Sequence, residues 1–458
     1  MDTSKKNIIL PSITEEGDCL PPSDAFPLTG AQENVWFHQA LDETSTAYNV
    51  GHATYIYGQL NQTKFELTLQ QLIGEIETFG LYFLNNQKQV LQKINPKQEY
   101  ILHQWDLSLD PNQDLSANSI IRDQQSIRFN LSTGPCFRFG LIKLAQEKWI
   151  FISFFHHLII DGIGSANFLS LLARTYTDST VEAKDEVRLI DIFADDLAYK
   201  DSPSHQKDKE YWINKFSDFG EPASLSSKPF DELSLDMPSM VTASLTREKY
   251  EEIVNWSVET SQSNFSAFAA AVAIYMSRVT RQTDICLGVP TSGRKSKFQH
   301  FIGMLTNVLP VRIHFSEDTL IAELVKLIAK DSLSSLRHGR LPLNEIIRER
   351  RLQNKQSPFG FLVNLESFEH ELNFGDSQGS VHTIHSAPVA DMELYIFDRR
   401  DNGNVELRLE FNPSCYSETD AQTHLNCITQ ILCSLKNYSN SPVLALPLLT
   451  PTERTALL

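Results

Sequence analysis

The apolar residues of the chain recur at two spacings, one typical of strands and one typical of helices. Residues 148–155 are apolar at almost every position, which predicts a central strand that is covered on both faces. A polar loop follows. Phe168, Leu172 and Tyr176 then recur at every fourth position, which predicts a helix over residues 165–176. This strand, loop and helix form the best defined unit of the sequence.

Helices and strands alternate in the same way along the rest of the chain. The other predicted strands are 53–57, 80–84, 284–289, 309–315, 360–365, 393–397 and 405–411, and the other predicted helices are 64–79, 190–200, 207–216, 267–280, 320–337 and 420–435. Four prolines interrupt residues 178–245, as is typical of a crossover between lobes. This alternation predicts an α/β fold with two similar lobes.

The length of 458 residues predicts two or three compact units. Residues 1–24 are polar and contain prolines, so we expect a leader or docking arm there. One lobe is expected over residues 25–190 and a second over 191–440. Residues 441–458 have the composition of a linker-like tail.

Charge and cysteine usage restrict the classes of function. The formal net charge of -17 argues against a nucleic-acid partner, because binding DNA or RNA requires a large basic surface. The six cysteines are scattered, without the close pairs of zinc or redox sites, which predicts reduced thiols in a cytoplasmic protein and no bound metal. No apolar run is long enough to span a membrane.

The loop after the central strand holds the residues best suited to catalysis. His156 and His157 lie on opposite faces if the strand reaches them, so one can be catalytic while the other is structural. Gly162 precedes a predicted helix, whose backbone N–H groups could stabilise an oxyanion. The alternatives are a hydrogen-bonded histidine without catalytic function and a zinc site, which adjacent histidines on opposite faces suit poorly. Two histidines with Asp161 at a fixed offset favour catalysis.

This segment, His156 to Gly162, resembles the HHxxxDG signature of condensation domains of nonribosomal peptide synthetases, within the chloramphenicol-acetyltransferase-like acyltransferases. Further segments resemble the family's other motifs in the family's order, and they are residues 26–37, 284–294, 302–310, 338–345 and 357–361. The family's second motif is altered, because residues 77–83 lack its two arginines, and the motif at 190–194 is only loosely kept. Residues 307–310 and 382–394 resemble members that take an aryl donor.

The resemblance implies a V-shaped pseudo-dimer of two chloramphenicol-acetyltransferase-like lobes, with the active-site tunnel between them. It implies an acyl or aryl thioester donor and an aminoacyl acceptor, joined as an amide or an ester. Both substrates are carried on the 4'-phosphopantetheine arms of carrier proteins, and no cofactor is bound directly. The expected partners are donor and acceptor carrier proteins and an adjoining adenylation domain, with the chain itself a monomer.

The resemblance also implies roles for single residues. His157 would take the proton from the amine or hold the amine for attack, which suits an imidazole with a pKa of about 6.5. Asn364 occupies the place of an active-site asparagine, although ordinary loop bonding explains it equally well. His156 would be buried support. Asp161 would pair with Arg294 from the other lobe and fix the loop that carries His157.

Two other functions remain open at this stage. A free-standing acyltransferase would use the same histidine with a coenzyme A thioester, and a catalytically idle domain would only recruit carrier proteins. The basic clusters at residues 294–297 and 348–351 are candidate docking sites for acidic carriers, or else solvated faces. No serine or cysteine lies in a nucleophile motif, which argues against an acyl-enzyme intermediate.

Overall fold

The computed structural model describes residues 25–40, 42–85, 89–181, 187–226, 238–349, 357–366, 371–385, 391–398 and 403–448. The expected leader at 1–24 and the end of the tail after residue 448 lie outside these ranges. In the described part of the chain, two six-stranded sheets and one three-stranded sheet form the framework, and helices cover them. The predicted α/β fold is therefore confirmed.

The N-terminal sheet is built around the predicted central strand. Its spatial order is β12 (Glu371–Phe374), β13 (Ser377–His385), β2 (Asn49–Tyr57), β7 (Lys148–His156), β6 (Phe137–Ala145) and β5 (Leu102–Asp106). Its strands are antiparallel except for the parallel pair β5 and β6. A small sheet beside it contains β1 (Phe26–Pro27), β4 (Val90–Ile94) and β3 (Leu81–Asn85).

The C-terminal sheet mixes parallel and antiparallel strands. Its spatial order is β10 (Asn307–His314), β9 (Asp284–Thr291), β11 (Phe361–Glu366), β14 (Met392–Phe397), β15 (Val405–Phe411) and β8 (Ser239–Leu245). Strand β11 runs parallel to both of its neighbours, β9 and β14. Because parallel neighbours require crossover connections, this sheet is covered by helices.

The described helices lie between these strands in the sequence. They are α1 (Gly30–Gln39), α2 (Gln62–Glu75), α3 (Gln113–Gln125), α4 (Gly162–Thr177), α5 (Leu189–Lys200), α6 (Pro203–Lys215), α7 (Arg247–Glu259), α8 (Asn264–Thr280), α9 (Ile321–Arg337), α10 (Leu343–Glu349) and α11 (Glu418–Ser434). Short 3-10 helices occupy Glu77–Gly80, Ser296–Phe298 and Val443–Ala445. None of the described helices combines the length and apolar character needed to cross a bilayer.

The central strand β7 is buried on both faces, as its composition predicts. Phe151 and Phe155 pack with residues of α2 and α4 on one side, whereas Ile152 and Phe154 pack with residues of α3 on the other. Burying side chains of this size stabilises the fold by about 1.5–3 kcal/mol each. These two layers fix the strand that leads into the histidine loop.

On one face of the C-terminal sheet Cys286 of β9 packs with Trp212 of α6 and with Phe216, and the other face is apolar across its strands. Helix α8 packs against that face, and its residues from Ala267 to Met276 are buried. Val363, Leu394 and Leu409 point into the same core, and the residues that alternate with them along β11, β14 and β15 face the other way. The opposite face of these three strands is therefore free to line a cavity.

The two halves of the chain are interleaved. Strands β12 and β13 come late in the sequence, yet β13 pairs antiparallel with β2 of the N-terminal sheet from Gln378↔Tyr57 onward. Helix α4 also contacts this hairpin, because the Thr177 hydroxyl donates to Asn373 O at 2.9 Å and accepts from Gly375 N at 2.9 Å. Residues of the 191–440 segment thus complete the sheet of the first half.

The halves also meet closely at the start of α4. A Cβ atom at Gly164 would lie 2.6 Å from Gly303 O and 2.8 Å from Gly303 N, so only glycine fits against that backbone. We expect Gly164→Ala to lower the free energy of unfolding by about 1–3 kcal/mol, measured by urea denaturation.

A matched control for this substitution lies in α2. A Cβ atom at Gly74 has no neighbour within 4 Å, so Gly74→Ala is expected to raise the free energy of unfolding by up to about 1 kcal/mol through helix propensity. Equal stabilities for the two variants would show that the contact at Gly303 does not restrict the approach of the two halves.

Candidate active site

Three of the residues predicted to be catalytic line one cavity between the two sheets. This first cavity has a volume of about 840 Å³, and His157, Gly162 and Asn364 all belong to its lining. Most of the remaining lining is apolar and comes from both halves of the chain, including Val50, Leu169, Met304, Val308, Leu343, Leu362 and Val381. A largely apolar cavity with a few polar groups is the usual form of a small-molecule site.

The His157 side chain is fixed in one tautomer. Its Nδ1 atom lies 2.8 Å from Ile160 O, and because a carbonyl oxygen only accepts, Nδ1 carries the proton. Burial lowers the pKa of His157, although the bond to Ile160 and the charge of Asp161 oppose this shift. The imidazole is therefore neutral at pH 7. Its Nε2 lone pair has no hydrogen-bond partner among the described residues, so it can accept a proton in the cavity.

His156 points away from this cavity, as the alternation along β7 predicts. It is 3% exposed, its Nε2 lies 3.0 Å from Gln39 Oε1, and its Nδ1 accepts from Leu158 N at 3.2 Å. Burial, and to a lesser extent the neighbouring His157, lowers the pKa of His156 to about 3. Both ring nitrogens are hydrogen-bonded within the protein, as is typical of a histidine that supports the structure.

Asp161 and Arg294 form the buried ion pair that the resemblance implies. Two parallel hydrogen bonds of 2.8 Å join the guanidinium to the carboxylate, and the side chains are only 4% and 1% exposed. The carboxylate also accepts from the backbone N–H groups of Gly164 at 2.8 Å, Leu305 at 2.8 Å and Thr306 at 2.9 Å. Burial alone would raise the pKa of Asp161, but Arg294 and these bonds hold it below its usual range.

Gly162 and Asn364 approach the cavity from opposite halves. Gly162 is the first residue of α4, and open space surrounds the position of a Cβ atom there. Its backbone therefore faces the cavity at the positive end of the helix. Asn364 lies on the cavity face of β11, and its Nδ2 is 3.4 Å from Glu393 Oε1.

Two glutamates of the cavity were missed by the sequence analysis. Glu366 on β11 and Glu393 on β14 both line it. Burial raises the pKa of Glu366 to about 7, and burial together with the charge of Glu410 raises the pKa of Glu393 to about 8. The only signal in the sequence is polar residues at alternate positions of strands that are otherwise apolar.

A second cavity adjoins the first. Its volume is about 760 Å³, and it lies beside α9, the start of α8 and the loop that carries Arg294. Four residues line both cavities, namely Pro290, Thr291, Ser292 and Leu365. The two cavities therefore meet around the end of β9.

The expected basic clusters are only partly neutralised where the structure describes them. Arg294 is buried, and Lys295, Lys297 and Arg340 all contact Asp195, at 2.7 Å, 3.0 Å and 2.8 Å. The residues of the other cluster beyond 349 lie outside the described ranges. The described residues also contain no group of three or more metal-ligating side chains.

The altered second motif makes contacts of its own. The Thr78 hydroxyl donates to Ile302 O at 2.6 Å, and the Glu77 carboxylate accepts from Leu189 N at 2.8 Å. The segment without the family's arginines therefore still connects the first half to the loop before β10.

Removing one partner of the buried ion pair should destabilise the fold. We expect Asp161→Ala to lower the free energy of unfolding by about 3–5 kcal/mol, because Arg294 is then buried without a counter-charge. Urea denaturation followed by circular dichroism measures this. The control is Asp195→Ala, a partly exposed carboxylate for which a loss of at most about 1 kcal/mol is expected. Wild-type stability in Asp161→Ala would show that the pair does not hold the loop.

The raised pKa of Glu393 predicts how stability depends on pH. Between its ordinary pKa of 4.5 and its folded pKa of about 8, the folded state binds more protons than the unfolded state, so stability falls as pH rises. Glu393→Gln removes this titrating group, so the free energy of unfolding should fall less steeply with pH, by up to about 1.4 kcal/mol per pH unit. Urea denaturation from pH 5 to 9 tests it, with Glu252→Gln on α7 as the control. If the free energy of unfolding of Glu393→Gln fell with pH as steeply as that of the wild type, the raised pKa of Glu393 would be contradicted.

Comparison with known proteins identifies the family. The model of the condensation domain matches residues 23–458. The chain is 28% identical over 442 residues to the dimodular nonribosomal peptide synthase of Bacillus subtilis, covering 94% of this chain and 18% of that protein. It is 24% identical over 424 residues to enterobactin synthase component F of Escherichia coli, covering 90% of this chain and 32% of that protein. The chain thus spans less than a third of either curated relative.

Solved structures show the same fold. The starter condensation domain of rhizomide synthetase superposes with a TM-score of 0.87 at 25% identity, over 93% of this chain and 98% of that chain. The first condensation domain of the calcium-dependent antibiotic synthetase superposes with a TM-score of 0.84 at 23% identity, over 93% and 100%. Both have the two-lobe chloramphenicol-acetyltransferase-like fold. Since the family model also matches nearly the whole sequence, this chain belongs to the condensation domains of nonribosomal peptide synthetases.

Proposed function

We propose that this chain joins a carrier-bound acyl or aryl thioester to the amino group of a carrier-bound aminoacyl acceptor and so forms an amide bond. The observation that carries this proposal is the neutral imidazole of His157. Its Nδ1–H is tied to Ile160 O, and its Nε2 is available within a cavity that both halves line. An acceptor with a hydroxyl in place of the amine would give an ester at the same site.

Two adjoining cavities suit a reaction between two tethered substrates. Condensation domains act with carrier proteins that bear 4'-phosphopantetheine arms. In this proposal one arm enters through each cavity, and the reacting groups meet where Pro290, Thr291 and Ser292 line both. Holding the amine and the thioester in one place makes the attack effectively unimolecular.

The chemistry requires one proton transfer. An α-amino group has a pKa of about 8, so a useful fraction is neutral at pH 7 and can attack the thioester carbonyl. As the C–N bond forms, Nε2 of His157 accepts the proton that the nitrogen loses. The C–S bond then breaks, and the departing thiolate takes that proton from the imidazolium, which restores the neutral histidine.

The other predicted residues would stabilise or position these groups. The backbone N–H of Gly162 at the start of α4 would stabilise the oxyanion of the tetrahedral intermediate. Asn364 would hold the acceptor or the intermediate by its side-chain amide. His156, Asp161 and Arg294 would support the loop, because none of the three is available to a substrate in the first cavity.

The partners of this chain follow from the same proposal. We expect a donor carrier, an acceptor carrier and an adjoining adenylation domain, with the chain itself a monomer. Lys295, Lys297 and Arg340 surround a single carboxylate, Asp195, so this cluster retains positive charge for an acidic carrier. Arg294 takes no part in docking because it is buried.

Product analysis tests the function directly. The protein is mixed with an acyl-loaded donor carrier and an aminoacyl-loaded acceptor carrier, and the condensed product is read by mass spectrometry. A second mixture replaces the donor carrier with the acyl coenzyme A thioester. Product from the carrier pair supports the proposal, product from coenzyme A alone indicates a free-standing acyltransferase, and carrier binding without product indicates a recruiting domain.

The role of His157 gives a quantitative prediction. We expect His157→Ala to lower the condensation rate by about 10²–10⁴-fold, as measured by single-turnover kinetics with loaded carriers, while carrier binding is retained. The control is His314→Ala, an exposed histidine at the end of β10. An unchanged rate in His157→Ala would rule out this proton transfer.

A further inference from the structure

The cavity face of the C-terminal sheet carries three carboxyls, of which Glu393 and Glu410 are buried and Glu366 is half-buried. Neighbouring strands place Glu393 opposite Glu410 and Tyr395 opposite Arg408, while Asn364 is opposite Tyr395. Because side chains at alternate positions share a face, Glu366 is on the same side of the sheet, opposite Phe397 and four positions along β11 from Leu362, which is opposite Glu393. We call Glu366, Glu393 and Glu410 the acidic group.

The acidic group has one positive charge beside it on the sheet, and Arg348, which also lines the first cavity, is paired with Glu345 at 3.3 Å. Among the described residues on this face of β11, β14 and β15, Arg408 is the one cation. Its guanidinium binds Glu406 at 2.9 Å and reaches Glu410 only at 3.8 Å. The second carboxylate oxygen of Glu410 is buried without a hydrogen-bond partner. Burial raises the pKa of Glu410 to about 7, so all three carboxyls titrate near neutral pH.

The acidic group is accessible from the first cavity. Glu366 and Glu393 line it together with Asn364 and Tyr395. Across the cavity lie His52 of β2, His157 and the hydroxyl of Ser165, which is fully buried and has no hydrogen-bond partner. Other polar residues also belong to the lining, among them Asn34, His38 and Arg348, and Glu366 and Glu393 are its two acidic residues.

We propose that the acidic group binds a positively charged nitrogen of a substrate held in the first cavity. This inference rests on the function proposed above and names a substrate class for it. A buried carboxylate is stable only with a counter-charge or several hydrogen bonds, and a substrate ammonium or guanidinium supplies both. Glu393 and Glu366 contact the cation, and Glu410 behind them adds to the negative potential.

The bound cation is not the amine that reacts. The attacking nitrogen must be neutral and must lie at His157, so the cation is a second nitrogen. It belongs either to the donor, as the amino group of an aminoacyl donor, or to the side chain of the acceptor. Both sources present the same chemistry to the carboxylates, and separate substrate pairs distinguish them.

The test compares substrates that differ by one charge. For the donor, β-alanyl and butyryl thioesters have the same shape, and for the acceptor, ornithyl and norleucyl thioesters do. We expect the cationic member of one pair to have a kcat/KM about 10–100-fold higher, since each tenfold step corresponds to about 1.4 kcal/mol of interaction. Glu366→Gln and Glu393→Gln should remove that preference, so that the ratio of kcat/KM for the charged and neutral members falls to about one. Glu252→Gln on α7 is the matched control.

The outcomes separate this inference from the proposed function. Equal use of both members in both pairs overturns the cation site while leaving condensation intact. An equal loss for charged and neutral substrates in Glu393→Gln also overturns it, because the carboxyl then acts on the reacting amine. If no pair gives product, the proposed function fails, and calorimetric binding of the ornithyl and norleucyl thioesters still decides the inference.

A pH series provides a second readout. Binding a cation favours the ionised carboxylates, so the affinity for the ornithyl thioester should rise from pH 6 to pH 8.5 and protons should be released on binding. The titratable or charged groups that share the sheet face with these carboxyls are Tyr395, Glu406 and Arg408, and those that share the cavity are His38, Tyr48, His52, His157 and Arg348. An affinity that falls over this range would mean that protonated carboxyls donate to a neutral group, which contradicts the inference.

Discussion

The buried carboxylate of Asp161 holds together segments that lie far apart in the sequence. It caps α4 through Gly164 N, binds Arg294 from the loop after β9 and accepts from the backbone of Leu305 and Thr306 before β10. Five hydrogen bonds converge on two oxygen atoms. Because such a pair is stable only when complete, it places the first residue of α4 and the end of β9 at a fixed separation. The junction of the two cavities lies between them.

Helix α4 is held at both of its ends by contacts with the second half of the chain. Its start is held by Asp161 and by the close contact of Gly164 with Gly303, and its end is held by the bonds of Thr177 to the β12–β13 hairpin. Both contacts are made with residues from the second half of the chain. The two halves are therefore joined at two points by the same helix. These contacts also help to position His157, which lies at the other end of the loop that leads into this helix.

The sequence predicted what depends on local pattern. The central strand β7, helix α4 and the opposite orientations of His156 and His157 all follow from period and alternation, and the Asp161–Arg294 pair followed from the family resemblance. Other elements were missed because their signal is not local. Strand β13 pairs with β2, which is more than 300 residues away in the sequence, and residues 377–385 alone do not indicate which strand they pair with. Glu366 and Glu393 are likewise ordinary strand residues until the pairing of β11 with β14 turns both toward the same cavity.

The same alternation that builds the C-terminal core also creates the unusual face of the cavity. Along β14, Leu394 and Ile396 enter the core, so Glu393 and Tyr395 must face the cavity. An apolar residue at 393 would bury more hydrophobic surface and avoid the desolvation of a carboxyl, so stability alone does not explain a glutamate there. A buried group that lowers stability at neutral pH is typical of a site that acts on a ligand. Catalysis and substrate choice would then lie on different halves, with His157 on the loop and the carboxyls on the sheet, and the Asp161–Arg294 pair would set the distance between them.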